Sequence, residues 1–294
     1  MTTPPPAAFD HLIHWVCDLD ATVASYNDTG LATSPALTMP GFRNAAWGID
    51  DVRYVELATV DDWNAVQTSK YARGLQILRP AIDALDGDGP LTFAVNVPDI
   101  QATIERLRAA GHDVIIDEVW FEDRQGGFTE VHVTDAPHVA PFFIAYEPPR
   151  EVIAQMRADH RAANGVVFAP DRPQLVALLV GSSTPEQDAA SLAELIGCGV
   201  RGSTVELTDA EIRFSADAPE GLYGISVSNV GDELVEIAGL KIYPEPRPLY
   251  VASWRRQTPW QHSSHDRGRC AGRLQCQSSR VRRATGQHRS RCRT

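Results

Sequence analysis

No stretch of about 18 apolar residues occurs in the sequence, and its opening, MTTPPPAAFDHL, has no basic segment followed by an apolar one. A membrane span and a secretory leader are therefore not expected, and the expected compartment is the cytoplasm. Cysteine is scarce: of five, Cys270, Cys276 and Cys292 fall in residues 250–294, leaving Cys17 and Cys198 for the rest. Two isolated thiols fit a reducing compartment better than a disulfide scaffold. A glycine-rich phosphate loop, a Gly-x-Ser-x-Gly elbow, a His-Glu-x-x-His motif and a Cys-x-x-Cys pair are also missing. Kinase, hydrolase and dinucleotide-dependent chemistries lose their usual signatures with them.

What is present is enough for one large or two modest globular domains: 294 residues, 43% hydrophobic and 22% charged. The net charge of -11 hides an asymmetry. Residues 250–294 carry 11 arginines and one acid, Asp266, so residues 1–249 stand near -21. An acidic body disfavours nucleic acid or an anionic membrane as its partner and leaves a small molecule as the expected one.

A segment recurs 81 residues apart: FDHLIHWVCDLDATVASY from Phe9 and PLTFAVNVPDIQATIERL from Pro90, with Asp18 aligned on Asp99. Each copy reads as a strand, a helix capped by that aspartate, and three more strands. The first copy gives strands at His11 to Val16, Ala36 to Met39, Phe42 to Ile49 and Val52 to Ala58, with its helix from Asp18 to about Asp28. The second gives strands at Leu91 to Val97, Val114 to Glu118, Thr129 to Thr134 and Phe142 to Tyr146, with a helix from Ile100 to Ala110 that Gly111 closes. Asp62 to Leu85 and Arg150 to Asn164 read as connecting helices. A third, weaker unit follows, with a strand at Leu175 to Val180 and a helix at Pro185 to Ile196, for which Thr184 is the expected N-cap. Its later strands are at Thr204 to Leu207, Glu211 to Ser215 and Tyr223 to Val230.

The expected fold class is α+β: repeated β-α-β-β-β units forming open, barrel-like mixed sheets. Its parts are a paired region over 9–149, with units at 9–59 and 90–147, and a third unit over 165–245. Residues 250–294 lack apolar periodicity and read as a disordered, Arg-rich tail, of the composition an out-of-frame reading of GC-rich coding sequence gives. An arginine-rich nucleic-acid tail is the competing reading.

The segments FDHLIHWVCDLDAT at 9–22, PGFRNAAWGI at 40–49, YVELATV at 54–60, GPLTFAVNVPDI at 89–100 and APFFIAYEPP at 140–149 resemble, in their order and spacing, the glyoxalase-like domain branch of the vicinal oxygen chelate superfamily. HRAANGVV at 160–167 resembles that branch's entry into a third unit. The resemblance covers roughly residues 9–245. It implies a cleft between paired units and a divalent metal, zinc, nickel, manganese or iron, held by side chains of the first and last strands. The matching positions are His11 and Glu56; Thr92 stands opposite His11, and Ile144 or Ala145 stands where a second carboxylate would be.

Strand alternation puts His11 and His14 on opposite faces and Tyr54 with Glu56 on one face, so His11 and Glu56 meet if their strands are neighbours. A carboxylate inside the apolar strand Tyr54-Val55-Glu56-Leu57 would be costly to bury without a partner. Each candidate has a bland alternative: a hydrogen-bonded core histidine for His11, and a surface arginine with a turn asparagine for Arg43 and Asn44. The functional reading gives Arg43 a substrate carboxylate to clamp and Asn44 a carbonyl to bind. Trp47 and Tyr54 are the candidate apolar walls, with Trp15 and Trp120 beside them, and core packing is the alternative for all four. His132 and Glu147 are further candidates for a third ligand.

The resemblance then implies a metal-assisted lyase or isomerase acting on a small oxygenated metabolite, with Glu56 as catalytic carboxylate. The alternative is a non-catalytic module that binds or sequesters a small molecule in the same cleft. A third reading, oxygen activation by iron(II), needs His11, Glu56 and His132 to converge. Whether the third unit supports a homodimer is left open by the sequence.

Overall fold

A computed structural model describes residues 7–123, 125–136, 139–165, 168–169 and 171–245. The expectation for residues 250–294 lies outside the described residues. The chain order is β1 (Ala8–Trp15), α1 (Leu19–Asp28), β2 (Thr33–Met39), β3 (Phe42–Gly48), β4 (Tyr54–Val60), α2 (Trp63–Val66), α3 (Ala72–Leu85), β5 (Gly89–Asn96), α4 (Ile100–Ala109), β6 (Val114–Phe121), β7 (Gly126–Val133) and β8 (Phe142–Glu147). After α5 (Arg150–Ala163) come β9 (Gln174–Gly181), α6 (Pro185–Ile196), β10 (Gly199–Arg201), β11 (Thr204–Glu206), β12 (Glu211–Ser215), β13 (Gly221–Ser228), β14 (Val235–Ile237) and β15 (Leu240–Glu245).

The first eight strands form one mixed sheet in the order β2-β3-β4-β1-β5-β8-β7-β6, and the remaining seven another in the order β10-β11-β12-β9-β13-β15-β14. Each curls into an open half-barrel. The two central strands of the first sheet, β1 and β5, run antiparallel, and each has a parallel neighbour, β4 and β8. In the second sheet β9 and β13 take the same relation, with β12 and β15 as their parallel neighbours.

Local chemistry explains the element boundaries. Asp18 and Asp99 sit in near-identical extended conformations before α1 and α4, and each side chain accepts from the backbone amide three residues on, Ala21 and Ala102. Gly111, at φ +92°, follows α4 as expected. Thr184 stands at the N-cap position of α6 but makes no side-chain cap; instead Ser182 Oγ accepts from its amide at 2.8 Å. The connecting helix expected over Asp62 to Leu85 is two helices. Asp62 caps the short α2, and Ser69 Oγ, which accepts from the Tyr71 amide at 3.1 Å, competes with helical hydrogen bonding between them.

An apolar core runs from the outer face of the first sheet (Leu12, Val55, Phe93, Phe143) to the second sheet (Leu178, Ile212, Ile225). Burial of such side chains contributes roughly 1.5–3 kcal/mol each. A smaller cluster on the inner face of the first sheet, including Ile13, Phe42 and Ala94, packs on Leu75, Leu78 and Ile82 of α3 and closes one end of the half-barrel. The rest of that inner face is the cleft.

Candidate active site

Residues opposite one another in a parallel pair share a face. Because β1 pairs β4 with His11 opposite Tyr54 and Ile13 opposite Glu56, His11, Tyr54 and Glu56 all point to the inner face. His14 points to the other face, where its Nδ1 meets Tyr26 Oη at 2.9 Å and its Nε2 the Ala238 carbonyl at 2.8 Å.

On the inner face His11 Nε2 lies 3.5 Å from Glu56 Oε2, and the ring stacks on Tyr54 with centroids 4.6 Å apart. Asn44, one strand further out, donates from Nδ2 to Glu56 Oε1. The other nitrogen, His11 Nδ1, is held at 2.7 Å by Asp10 Oδ1, which also accepts from Tyr146 Oη at 2.7 Å. Neighbours in a strand ordinarily face opposite ways. The register between β1 and β5 shifts between Phe9 and His11, and this bulge lets Asp10 turn toward the His11 ring.

A second acidic group comes from β7. Tyr71, just before α3, donates to both carboxylate oxygens of Glu130 at 3.2 Å, and His132 Nε2 lies 3.1 Å from Glu130 Oε2. His132 stacks on Phe142 with centroids 5.1 Å apart, and Phe142 meets His11 edge-on at 5.5 Å. Phe142 thus fills the space in which the two imidazoles would have to meet. Among the described residues no three His, Cys, Asp or Glu side chains group as metal ligands. The convergence of His11, Glu56 and His132 required for the iron(II) reading is not formed.

Register also names the counterpart of Glu56. Ile13, which aligns with Ala94, pairs with Glu56, whereas Ala94 pairs with Phe142. Phe142 therefore takes the place expected for Ile144 or Ala145, and it brings no donor atom. Thr92 bonds the Ala140 carbonyl at 3.3 Å.

Electrostatics follow from burial. Desolvation raises the Glu56 carboxyl above the ordinary carboxylate range and Glu130 adds to it, while His11 and Asn44 pull the other way. Burial works to lower His11, but the hydrogen bond and charge of Asp10, helped by Glu56 and Glu130, outweigh it and leave His11 raised above 6.5. Burial first, then the nearby carboxylates, keep Tyr54, Tyr71 and Tyr146 as neutral phenols. The cleft above these groups has a volume of about 830 Å³, and its lining includes His11, Asn44, Tyr54, Glu56, Glu130 and Tyr146.

Four sequence-derived candidates lie elsewhere. Arg43 and Trp47 alternate with Asn44, so they leave β3 on its outer face. Arg43 is bound there to Asp61 at 2.6 Å and to Asp20 at 3.4 Å, and Trp47 is buried against Tyr26. Trp15 shares the inner face with His11 but packs on Trp63 in the apolar cluster beside α3. Trp120 is 41% exposed and outside the cleft lining. Glu147 reaches only the cleft's edge, as an exposed side chain at the end of β8. Sequence reasoning missed Asp10, Tyr71, Glu130 and Tyr146. Glu130 carries the signal that singled out Glu56, a carboxylate inside an apolar strand.

A family model described as a glyoxalase-like domain matches residues 9–196. No curated protein matches the chain. Among solved structures, a hypothetical protein from Staphylococcus aureus matches 82% of this chain and 99% of its own, at 17% identity and a TM-score of 0.62, and so shares the fold. A methylmalonyl-CoA epimerase from Streptomyces coelicolor matches 48% of this chain and 97% of its own, at 24% identity and a TM-score of 0.35. A mutant 4-hydroxymandelate synthase from the same organism matches 78% and 72%, at 13% identity and a TM-score of 0.42. The family model spans well over half of the chain, and the chain belongs to the glyoxalase-like domain family of the vicinal oxygen chelate superfamily.

Proposed function

We propose that the chain is a metal-assisted lyase or isomerase acting on a small molecule with two adjacent oxygens. The observation that carries this reading is the His11–Glu56 pair in the cleft, with Asp10 behind the histidine. Two ligands bound to one divalent ion at about 2.0–2.2 Å stand roughly 3.0–3.5 Å apart, which the 3.5 Å separation of Nε2 and Oε2 fits. A carboxylate on the far nitrogen of a ligating histidine fixes its tautomer and raises its basicity, and Asp10 is so placed. Zinc, nickel, manganese and iron(II) are the candidates; His11 and Glu56 would hold the ion without help from Phe142, which has no donor atom, or Thr92, whose hydroxyl bonds the Ala140 carbonyl.

A divalent ion bound there would supply Lewis-acid polarisation of two vicinal oxygens. Glu56 would move the proton at the carbon next to them, its basicity set between burial, which raises the carboxyl, and the ion, which would lower it. Asn44 would hold the Glu56 carboxylate in one orientation, and Tyr54 would hold the imidazole plane. Burial keeps His11 and Glu56 largely away from bulk water, with side-chain exposures of 4% and 13%.

The test is a screen of 2-oxoaldehydes, catechols and hydroxy-ketones in deuterium oxide, with each metal in turn and proton exchange followed by NMR. Turnover or exchange in one class, lost at least 100-fold in Glu56→Gln, is the expected result. A metal-loaded protein inert to all three classes would overturn the proposal. The absence of donors at Thr92 and Phe142 favours a second reading, a non-catalytic module in which the cleft binds its ligand equally well with and without metal.

A further inference from the structure

The cleft is much larger than the His11–Glu56 end requires. Clefts of 300–1,000 Å³ enclose drug-sized ligands, and at about 830 Å³ this one has room for a body many atoms long beyond the two chelating oxygens. Its outer part lies between the sheet and α5. On the sheet side the lining side chains are small, Ala36, Ala46 and Gly48, which leaves a slot. On the other side α5 presents Ile153, Met156, Arg157 and His160, spaced i, i+3, i+4 and i+7 and hence on one face. That helix has no buried residue, and Met156 is 60% exposed although its face is turned to the cleft. A ligand-contact face explains an apolar side chain left bare in that position.

Charge is unevenly spread along the slot. Glu56 and Glu130 line the inner end beside His11, while Asp10 lies behind His11 with Arg150 at 3.7 Å, so without a metal the inner end offers an anion no unmatched cation. At the mouth, Arg53 is matched by Asp50 at 2.6 Å and Arg161 by both oxygens of Asp51. Arg157 also lines the cleft and makes no ion pair among the described residues; its Nη1 donates at 2.7 Å to the uncharged Asp51 carbonyl, which leaves further guanidinium donors for a ligand.

We propose that the cleft selects an elongated amphipathic anion, its uncharged polar end toward His11 and Glu56, its apolar body against Ala46, Gly48 and Met156, and its anionic head on Arg157. This rests on the proposed use of the cleft as a substrate site, but not on the metal. Arg157 acts as a specificity determinant that orients the substrate with its charge outward.

Two fluorescent probes with nearly the same skeleton test it on the full chain: 1-anilinonaphthalene-8-sulfonate, an anion, and N-phenyl-1-naphthylamine, which is neutral. The anion should bind the wild type more tightly. Arg157→Gln should weaken it about tenfold, the worth of one charge-assisted hydrogen bond, and leave the neutral probe within about twofold. Arg157→Lys should keep most of the preference, and Ala46→Trp, which fills the slot, should weaken both probes. Equal affinity of the two probes for the wild type, an Arg157→Gln effect on both or on neither, or indifference to Ala46→Trp would overturn the proposal. Displacement of the anionic probe by decanoate and by decyl phosphate distinguishes a carboxylate head from a phosphate one. Metal content of Arg157→Gln equal to wild type separates this inference from the metal proposal, since either can fail alone.

Discussion

At the scale of single residues, Asp10 sets what His11 does. Burial alone would keep His11 neutral; the buried Asp10 carboxylate reverses the direction and raises it. In Asp10→Asn the burial effect is freed, and the His11 titration followed by NMR should move down, whereas an unchanged value would show that Glu56 and Glu130 control it. A raised folded-state pKa means that the metal-free protein gains stability from protonated His11 in full below pH 6.5, and loses that gain as pH rises through the folded value. Metal binding has the opposite sign, because a proton on Nε2 competes with the ion, so zinc affinity should fall as pH drops through the same value. Strand alternation made the pairing of His11 with Glu56 readable from sequence. The same alternation, applied to Phe42 through Ile49, already separates Arg43 and Trp47 from Asn44, and naming adjacent residues as joint site members ignored it. Asp10 was not readable, because a bulge that breaks the alternation leaves no trace in the residue pattern.

At the scale of elements, helix caps were the most legible features and inter-helix contacts the least. Asp18, Asp99, Gly111 and Gly197 mark helix ends by local chemistry that any reader of the chain can find. Arg106 of α4 does something that local pattern does not announce: its guanidinium donates to the last carbonyls of α6, those of Leu195 at 2.9 Å and Ile196 at 3.1 Å. These are carbonyls that the end of a helix leaves without partners. Arg106→Ala should therefore lower stability by about 1.5–3 kcal/mol, read in a urea unfolding curve, and Arg106→Lys should recover only part of it. A loss below about 0.5 kcal/mol would mean that water replaces the guanidinium at no cost. The three-residue strands β10 and β14 and the six-residue β15 escaped the sequence reading, whereas β11, as short as the first two, was read within the run Thr204 to Leu207.

At the scale of the described fold, the two sheets share one apolar core and are expected to unfold together. Their common core is joined by polar links, including the Ala238 carbonyl on His14 and the Phe9 amide on Asp209 Oδ1 at 2.8 Å. Gly239, at φ +76°, comes close to the chain entering β5 of the first sheet: a β-carbon there would meet the Asp88 carbonyl oxygen at 2.5 Å, a contact with main chain that cannot swing aside. Gly239→Ala should cost at least about 2 kcal/mol, from the left-handed backbone and the clash together, and should still unfold in one transition by circular dichroism and tryptophan fluorescence alike. Two separated transitions in the wild type would show that the sheets fold as independent units. The order of elements along the first two units was legible because the two copies carry the same sequence signals; the order of strands within the sheet and the packing of one sheet on the other were not, since outer-face residues such as Leu12 and Leu178 look the same whatever covers them. The proposed use of His11 and Glu56 as a metal-binding pair makes a direct demand on the purified protein. Metal content by plasma mass spectrometry, on the full chain beside His11→Ala and Glu56→Ala purified in the same way, tests it most directly. Near-stoichiometric divalent metal in the wild type and its loss in both variants is the expected result; a wild type that stays metal-free after incubation with zinc, nickel, manganese and iron(II) would rule the pair out as a metal site.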